Sequence, residues 1–293
     1  MDKIVEVTGG DGGNAFLILG REKAALLDCG MAYCADKLIS NIKQRLNKLT
    51  LDYIFISHSH YDHIGAIPYL KQEWPNCKVF GAEHAKKILE RPNALKAIRG
   101  LSNNAAIIYN SGDLQEYQDE LLKVDIIIAD GDITDLGGVT IKVIATPGHT
   151  QCSLAFLVNN ETLFASETTG YMSESGKVYA AFITSSSAAL ASIHKCQELN
   201  PKFIISPHFG LLNKQATQDY WINCSLAIQE TKNFIIDLSG QGYNEEQILA
   251  EYEKEFRDQT SKNQQPIDAF RLNVSNMIKV VRNENNDSQY RLT

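Results

Sequence analysis

Residues 56–65 read "ISHSHYDHIG". Three histidines and an aspartate, His58, His60, His63 and Asp62, fall within six positions of a chain that has seven histidines in all. The stretch follows "LDYIFIS" (51–57), a run apolar enough to be a strand buried on both faces. If the backbone stays extended through the cluster, His58, His60 and Asp62 point to one side. A loop at the strand end can turn His63 inward as well. Imidazole and carboxylate donors suit zinc, iron or manganese, and the lack of cysteine among them argues against a structural zinc knot. A single histidine here would be a solvated loop residue. Four ligand-type side chains at this spacing, directly after a buried strand, point to a metal site.

Such a site has to be completed from elsewhere in the chain. His149 lies in "TPGHT", just after the apolar run "IKVIA". His208 lies in "ISPHFG", and Glu167 closes "LFASE". Three separate strand ends therefore each present a potential ligand, as expected where loops at one edge of a sheet scaffold carry function. His84 opens a helix and His194 sits in mid-helix; both read as structural or surface residues.

The rest of the chain frames these motifs. Short apolar runs closed by glycine open it, followed by a helix at about 35–48 with apolar residues at 3.6-type spacing. A helix with an early proline follows the histidine cluster, then the strand "CKVFGAEH" and another helix. Residues 92–122 fit this alternation poorly and read as an insertion of two helical pieces separated by "NSGD". Strand signals return from Val124 to Glu167. "SSSAALASIHKCQEL" reads as a helix with a serine cap, and "KFIIS" as a strand. After Leu212 the pattern is helical to the end. The expected organisation is a β-rich domain over 1–212 and a helical segment over 213–293.

Composition narrows the function classes. Of 293 residues, 44% are hydrophobic and 22% charged, with a net charge of −7. No basic stripe is present, which disfavours nucleic acid or an anionic membrane as partner. No window approaches the roughly 20 apolar residues of a membrane helix. The N-terminus does not read as a signal peptide, so a cytoplasmic protein is expected. Six dispersed cysteines without a CxxC pair read as free buried thiols.

The order HxHxDH at 58–63, TPGHT with His149, an acid after an apolar strand at Glu167, then His208, resembles the metallo-β-lactamase superfamily over about residues 1–212. The resemblance implies an α/β fold, an αββα sandwich with the metal site at one edge between the sheets. It implies two divalent ions, zinc or iron, with manganese also compatible. His58, His60 and His149 would hold the first, and Asp62, His63 and His208 the second. Glu167 stands where the family usually has an aspartate bridging both ions. Its extra methylene allows bridging only if its backbone sits farther back; a one-ion site is the alternative.

"SHSHYDHIG", "LFASETTG" and the tail segment "PIDAFRLNVSNMIKVV" are similar to the quinolone-signal response thioesterase subgroup of that family. This implies a metallo-hydrolase in which a metal-bound hydroxide attacks the carbonyl of a small acyl thioester, with Asp62 as both ligand and catalytic residue. Lactone hydrolysis, persulfide oxygenation at a single iron, and a signalling regulator with a retained metal site are the other readings. Tyr171 and Ser173 are the expected substrate contacts. Trp221, Phe234, Tyr252, Phe256, Phe270 and Met277 read first as residues that pack the tail; a tail over the metal edge would leave a narrow apolar pocket. The expected partner is a small molecule, and pairing into a homodimer would follow the family's habit.

Overall fold

Short runs of alternating or fully apolar residues make the strands at the start of the chain, and a computed structural model shows how they pair. It describes residues 3–109, 111–112, 114–173, 175–258, 262 and 265–290. The chain divides into two units, 1–145 with 154–164, and 146–153 with 165–293.

In the first unit, β1 (Ile4–Glu6), β2 (Phe16–Leu19) and β3 (Ala24–Leu27) form an antiparallel meander. β3 then pairs in parallel with β4 (Leu51–Phe55), β4 with β5 (Lys78–Gly81), and β5 with β6 (Ile126–Ile127). Parallel neighbours need crossover connections. These are α1 (Ala35–Leu46), then α2 (Tyr61–Ile64) with α3 (Ile67–Glu73), then α4 (Glu83–Leu89) with α5 (Pro92–Ile108). α1 buries Leu38, Ile42 and Leu46, one side chain per turn on a single face. The first unit also holds an antiparallel set, β7 (Ile133–Asp135), β8 (Thr140–Ala145), β9 (Leu154–Val158) and β10 (Thr162–Phe164). Phenylalanines join the two sets: Phe16 meets Phe164, and Phe55 meets Phe156, each edge to face with centroids 5.6 Å apart.

The 92–122 segment departs from its expected form. Its first piece runs as one helix, α5, through Gly100. The second piece has no α-helix among its described residues, only a 3-10 turn at Asp119–Leu121. Arg99 of α5 explains this. Its guanidinium lies 4.0 Å from the centroid of the Tyr117 ring, donates to the Tyr117 carbonyl at 2.9 Å and pairs with Asp119 at 2.6 Å. Contacts with one side chain thus hold the irregular stretch against the helix, where local propensity alone would favour a second helix.

In the second unit, α6 (Ser186–Glu198) starts at Ser185, whose hydroxyl accepts from the Ala188 N–H at 3.2 Å, the serine cap expected. Two hairpins accompany it, β11 (Tyr171–Met172) with β12 (Val178–Tyr179), and β13 (Phe203–Ser206) with β14 (Gly210–Leu211). The helical tail is α7 (Lys214–Gly240), α8 (Glu245–Phe256) and α9 (Ile267–Tyr290). Asn213 and Asn244 cap α7 and α8, and Gln247 completes a capping box with Asn244. α9 buries Phe270, Val274, Met277, Ile278 and Val281 on one face. No helix among the described residues is long and apolar enough to cross a membrane. All six cysteines are buried and free, as expected.

Glu284 of α9 is bound to the start of α6. It accepts from the Ser185 hydroxyl at 3.0 Å, the Ser186 N–H at 2.9 Å and the Ser186 hydroxyl, with Lys232 at 3.6 Å. Burial raises its carboxyl pKa, but these donors and the lysine charge outweigh it and hold the carboxyl below the ordinary glutamate value of 4.5. A depressed carboxylate contributes stability that is present above the unfolded pKa and lost as pH falls through the folded one. Glu284→Gln is therefore expected to be less stable than the parent at pH 7, with the gap closing below about pH 4.5. Thermal melts of both proteins from pH 7 to pH 3 check this; a gap independent of pH would refute it.

Candidate metal centre

In the first unit the strand β4 ends and the chain turns directly into α2. His60 is the residue before the first turn, with φ −75° and ψ 148°, and its carbonyl accepts from His63 N at 3.0 Å. The extended stretch is thus shorter than a straight strand reading requires. His58 and His60 lie before the turn, while Asp62 and His63 lie on it. The rings of His58 and His60 have centroids 4.5 Å apart, and those of His58 and His63 are 4.2 Å apart. His58 and His60 offer ring nitrogens within 4.8 Å of each other, and so do Asp62 and His63 with a carboxylate oxygen and a ring nitrogen. His58, Asp62 and His63 are buried. At Gly65 a Cβ would lie 2.4 Å from the Ala32 nitrogen, so only glycine lets the chain after α2 approach that segment.

Asp28, at the end of β3, orders this cluster. It is 1% exposed. It accepts from Ser57 N at 2.6 Å, from the Ser57 hydroxyl at 2.7 Å and from His63 Nδ1 at 2.8 Å. The tautomers follow. A carboxylate only accepts, so His63 carries its proton on Nδ1 and presents Nε2 as the lone-pair nitrogen. Ser57 gives its one proton to Asp28, so at 3.0 Å it accepts from His58 Nδ1, and His58 too presents Nε2. Carboxylate-oriented imidazoles of this kind are what a metal ligand set needs.

In the second unit, His149 sits in the loop before β9, Glu167 on a 3-10 turn at Glu167–Thr169, and His208 in the turn between β13 and β14. At Gly148, φ is 140° and a Cβ would lie 2.6 Å from the Ala189 Cα, which explains the glycine of TPGHT: α6 crosses directly over it. His149 Nδ1 donates to the Ala181 carbonyl at 2.5 Å, which directs Nε2 to Glu167 Oε2 at 2.8 Å. The other carboxylate oxygen, Oε1, lies 2.5 Å from His208 Nε2. One glutamate thus spans both histidines, an oxygen to each. The longer glutamate side chain reaches both imidazoles from the turn at 167–169. His208 adopts φ 59°, a left-handed backbone that is uncommon outside glycine and typical of functional turns.

The donor set suits divalent metal ions. Outer hydrogen bonds orient His58, His63 and His149, and carboxylates stand beside the histidines. Thr168 fastens the Glu167 turn to the His149 loop, donating to the Thr146 carbonyl at 2.6 Å and accepting from His149 N at 3.1 Å. Asp28, Ser57 and Thr168 did not stand out in the sequence. Their partners are up to 35 residues away, and nothing local marks them. His84 is half-buried on α4 and His194 is exposed on α6.

A small, partly open cavity lies within the second unit. Glu167 and His208 stand in its wall with Tyr171, while Tyr252, Phe256, Phe270 and Met277 of the tail form its apolar side. Trp221 and Phe234 are not among its lining residues; Phe234 packs edge-on against Tyr252 and Phe256. Nor is Ser173, which is fully buried with its hydroxyl 2.8 Å from that of Ser175. No lysine or arginine is among the described lining residues.

Residues 8–208 match the family model described as Metallo-beta-lactamase superfamily. Glyoxylase B2 of Dictyostelium discoideum is 28% identical over 189 residues, 61% of this chain and 59% of that protein. Hydroxyacylglutathione hydrolase of Francisella philomiragia is 28% identical over 188 residues, 64% of this chain and 56% of its own. The matches therefore span less than two thirds of these relatives. Among solved structures, a metallo-beta-lactamase family protein from Thermus thermophilus superposes with a TM-score of 0.66 at 16% identity, covering 97% of this chain and 95% of that one. An archaeal superfamily protein from Sulfolobus tokodaii gives 0.59 at 24% identity, covering 75% and 84%. These two likenesses are of fold.

Proposed function

The chain belongs to the metallo-beta-lactamase superfamily, and from that premise we propose that it is a metal-dependent hydrolase of small acyl thioesters, akin to the quinolone-signal response thioesterase subgroup. The observation that carries this reading is the cavity whose wall combines Glu167 and His208 with an apolar, aromatic side, with no lysine or arginine among its described lining residues. Such a lining suits a neutral acyl chain or ring. The names of relatives such as hydroxyacylglutathione hydrolase support the thioester linkage. The apolar, aromatic side of the lining favours a less polar acyl compound than a glutathione ester in this chain.

Family membership supports the ligand sets, His58, His60 and His149 for one ion, and Asp62, His63 and His208 for the other, with Glu167 between them. Bound divalent ions would supply Lewis acidity and lower the pKa of water. The protein's own residues do the remainder. Asp28 and Ala181 keep His63 and His149 in the tautomers that present Nε2. Asp62 orients the attacking water and takes up its proton. Tyr171, whose ring meets His208 edge-on at 6.4 Å, and Phe270 position the acyl group. The leaving thiolate, with a pKa near that of cysteine, about 8.5, departs with little need for an acid. The placement of Glu167 against both histidines weighs against the single-iron oxygenase reading, which rested on a misplaced acid.

The test is a matched panel of thioesters and lactones with the same acyl chains, offered to protein purified without chelators. Thioester turnover is expected, falling about 10²–10⁴-fold in Asp62→Asn. Turnover of lactones alone would replace the proposal with lactone hydrolysis. Thioesterase activity unchanged in Asp62→Asn while metal content drops would overturn it.

A further inference from the structure

The helical tail does more than wall the cavity. Tyr220 of α7 is 0% exposed. Its phenol donates to Ser206 Oγ at 3.3 Å and lies 2.8 Å from Thr169 Oγ1. Thr169 ends the 3-10 turn and lies two residues after Glu167; its hydroxyl also donates to the Ser166 carbonyl at 2.8 Å. Ser206 ends β13 and lies two residues before His208. One phenol from the tail therefore joins the two turns that bring Glu167 and His208 to 2.5 Å of each other. Burial pushes this phenol well above its ordinary range, so it stays protonated and able to donate.

The His149 side is fixed differently. There Thr168 bonds to both Thr146 and His149, with no contribution from Tyr220. The His149 loop thus has a tie to the Glu167 turn of its own, separate from the phenol that joins that turn to the His208 turn. We propose that Tyr220 is a positioning residue that sets the Glu167–His208 pair through Thr169 and Ser206, and so governs occupancy of the ion on the His208 side while leaving the His149 side unaffected. This rests on the two-ion reading above but not on the identity of the substrate.

The experiment is a metal titration of Tyr220→Phe against the parent protein. Zinc per chain and stepwise zinc affinities would be measured by competition with a chromophoric chelator, and thermal melts of the metal-stripped proteins run beside them. The expected result is a loss in one of the two zinc steps, up to about the tenfold that removing a direct outer partner of a ligand costs, because Tyr220 acts through one further residue. The other step should be unchanged and the metal-free melting point nearly so. Ser206→Ala, which removes only the His208 arm, should reproduce the effect if Tyr220→Phe folds poorly. Unchanged affinities at both steps would overturn the proposal. So would a loss shared equally by both steps and by the metal-free melt, since that is what a merely structural tyrosine would give. A parent protein that binds two zinc ions but hydrolyses no thioester would defeat the substrate reading and leave this comparison intact. A parent that binds no zinc would defeat both.

Discussion

Replacing Asp28 by alanine is expected to cost about 3–5 kcal/mol of stability, the scale for leaving several buried donors without an acceptor. Three donors lose their acceptor at once: the Ser57 N–H, the Ser57 hydroxyl and His63 Nδ1. Ser57 is 1% exposed and His63 4%, so water cannot readily take the place of the carboxylate. The backbone adds to the cost, since Asp28 has φ 52°, a left-handed conformation that aspartate tolerates better than alanine. Asp28→Asn keeps the size and the backbone preference but loses the charge, and should fall between the two. Urea denaturation of the three proteins measures the order. An alanine variant within about 1 kcal/mol of the parent would show that the network is not what holds the histidine cluster in place.

The second large effect concerns Glu167, and its direction runs against family habit. Restoring the aspartate usual at this position in the superfamily should damage the site. Shortening the side chain withdraws the carboxylate by about 1.5 Å, one carbon–carbon bond. The backbone at 167 is set by Thr168 and by the 3-10 turn, so it does not follow. An aspartate would then meet His149 or His208 but not both. Glu167→Asp is expected to lose at least about tenfold in metal affinity and to bind fewer ions per chain than the parent. Glu167→Gln, which keeps the reach but loses the charge and one acceptor oxygen, should lose affinity as well. Metal content after dialysis and hydrolysis of the best thioester are the readouts. An aspartate variant that holds as much metal as the parent would show that the reach of Glu167 is immaterial.

Sequence reading is strongest where ligand-type residues are concentrated. His58, His60, Asp62 and His63 form a dense local pattern, whereas the close crossing of α6 over the glycine of TPGHT is visible only in the structure. Sequence reading fails where the deciding contact is long-range and made by an ordinary residue. Nothing in "LLDCG" distinguishes Asp28 from any aspartate at a strand end, because its meaning lies in Ser57 and His63. The stretch before Asp119 has helix-forming residues, yet contacts with Arg99 hold it irregular. Tyr220 was one aromatic among many in the tail until its hydroxyl partners were visible. The cavity lies between these cases. The spacing of Phe270, Val274, Met277 and Val281 marks a buried helix face, but not which of these residues also meets open space.

The division of labour between the tail and the rest of the chain has an evolutionary consequence. α8 and α9 carry none of the proposed metal ligands, yet they supply Tyr252, Phe256, Phe270 and Met277 to the cavity. Substitutions there can reshape what the cavity admits without disturbing the reactive centre. Two lineages with the same histidine motif could therefore diverge in diet while sharing one chemistry, and comparing their last two helices would say more about what each consumes than comparing their motifs.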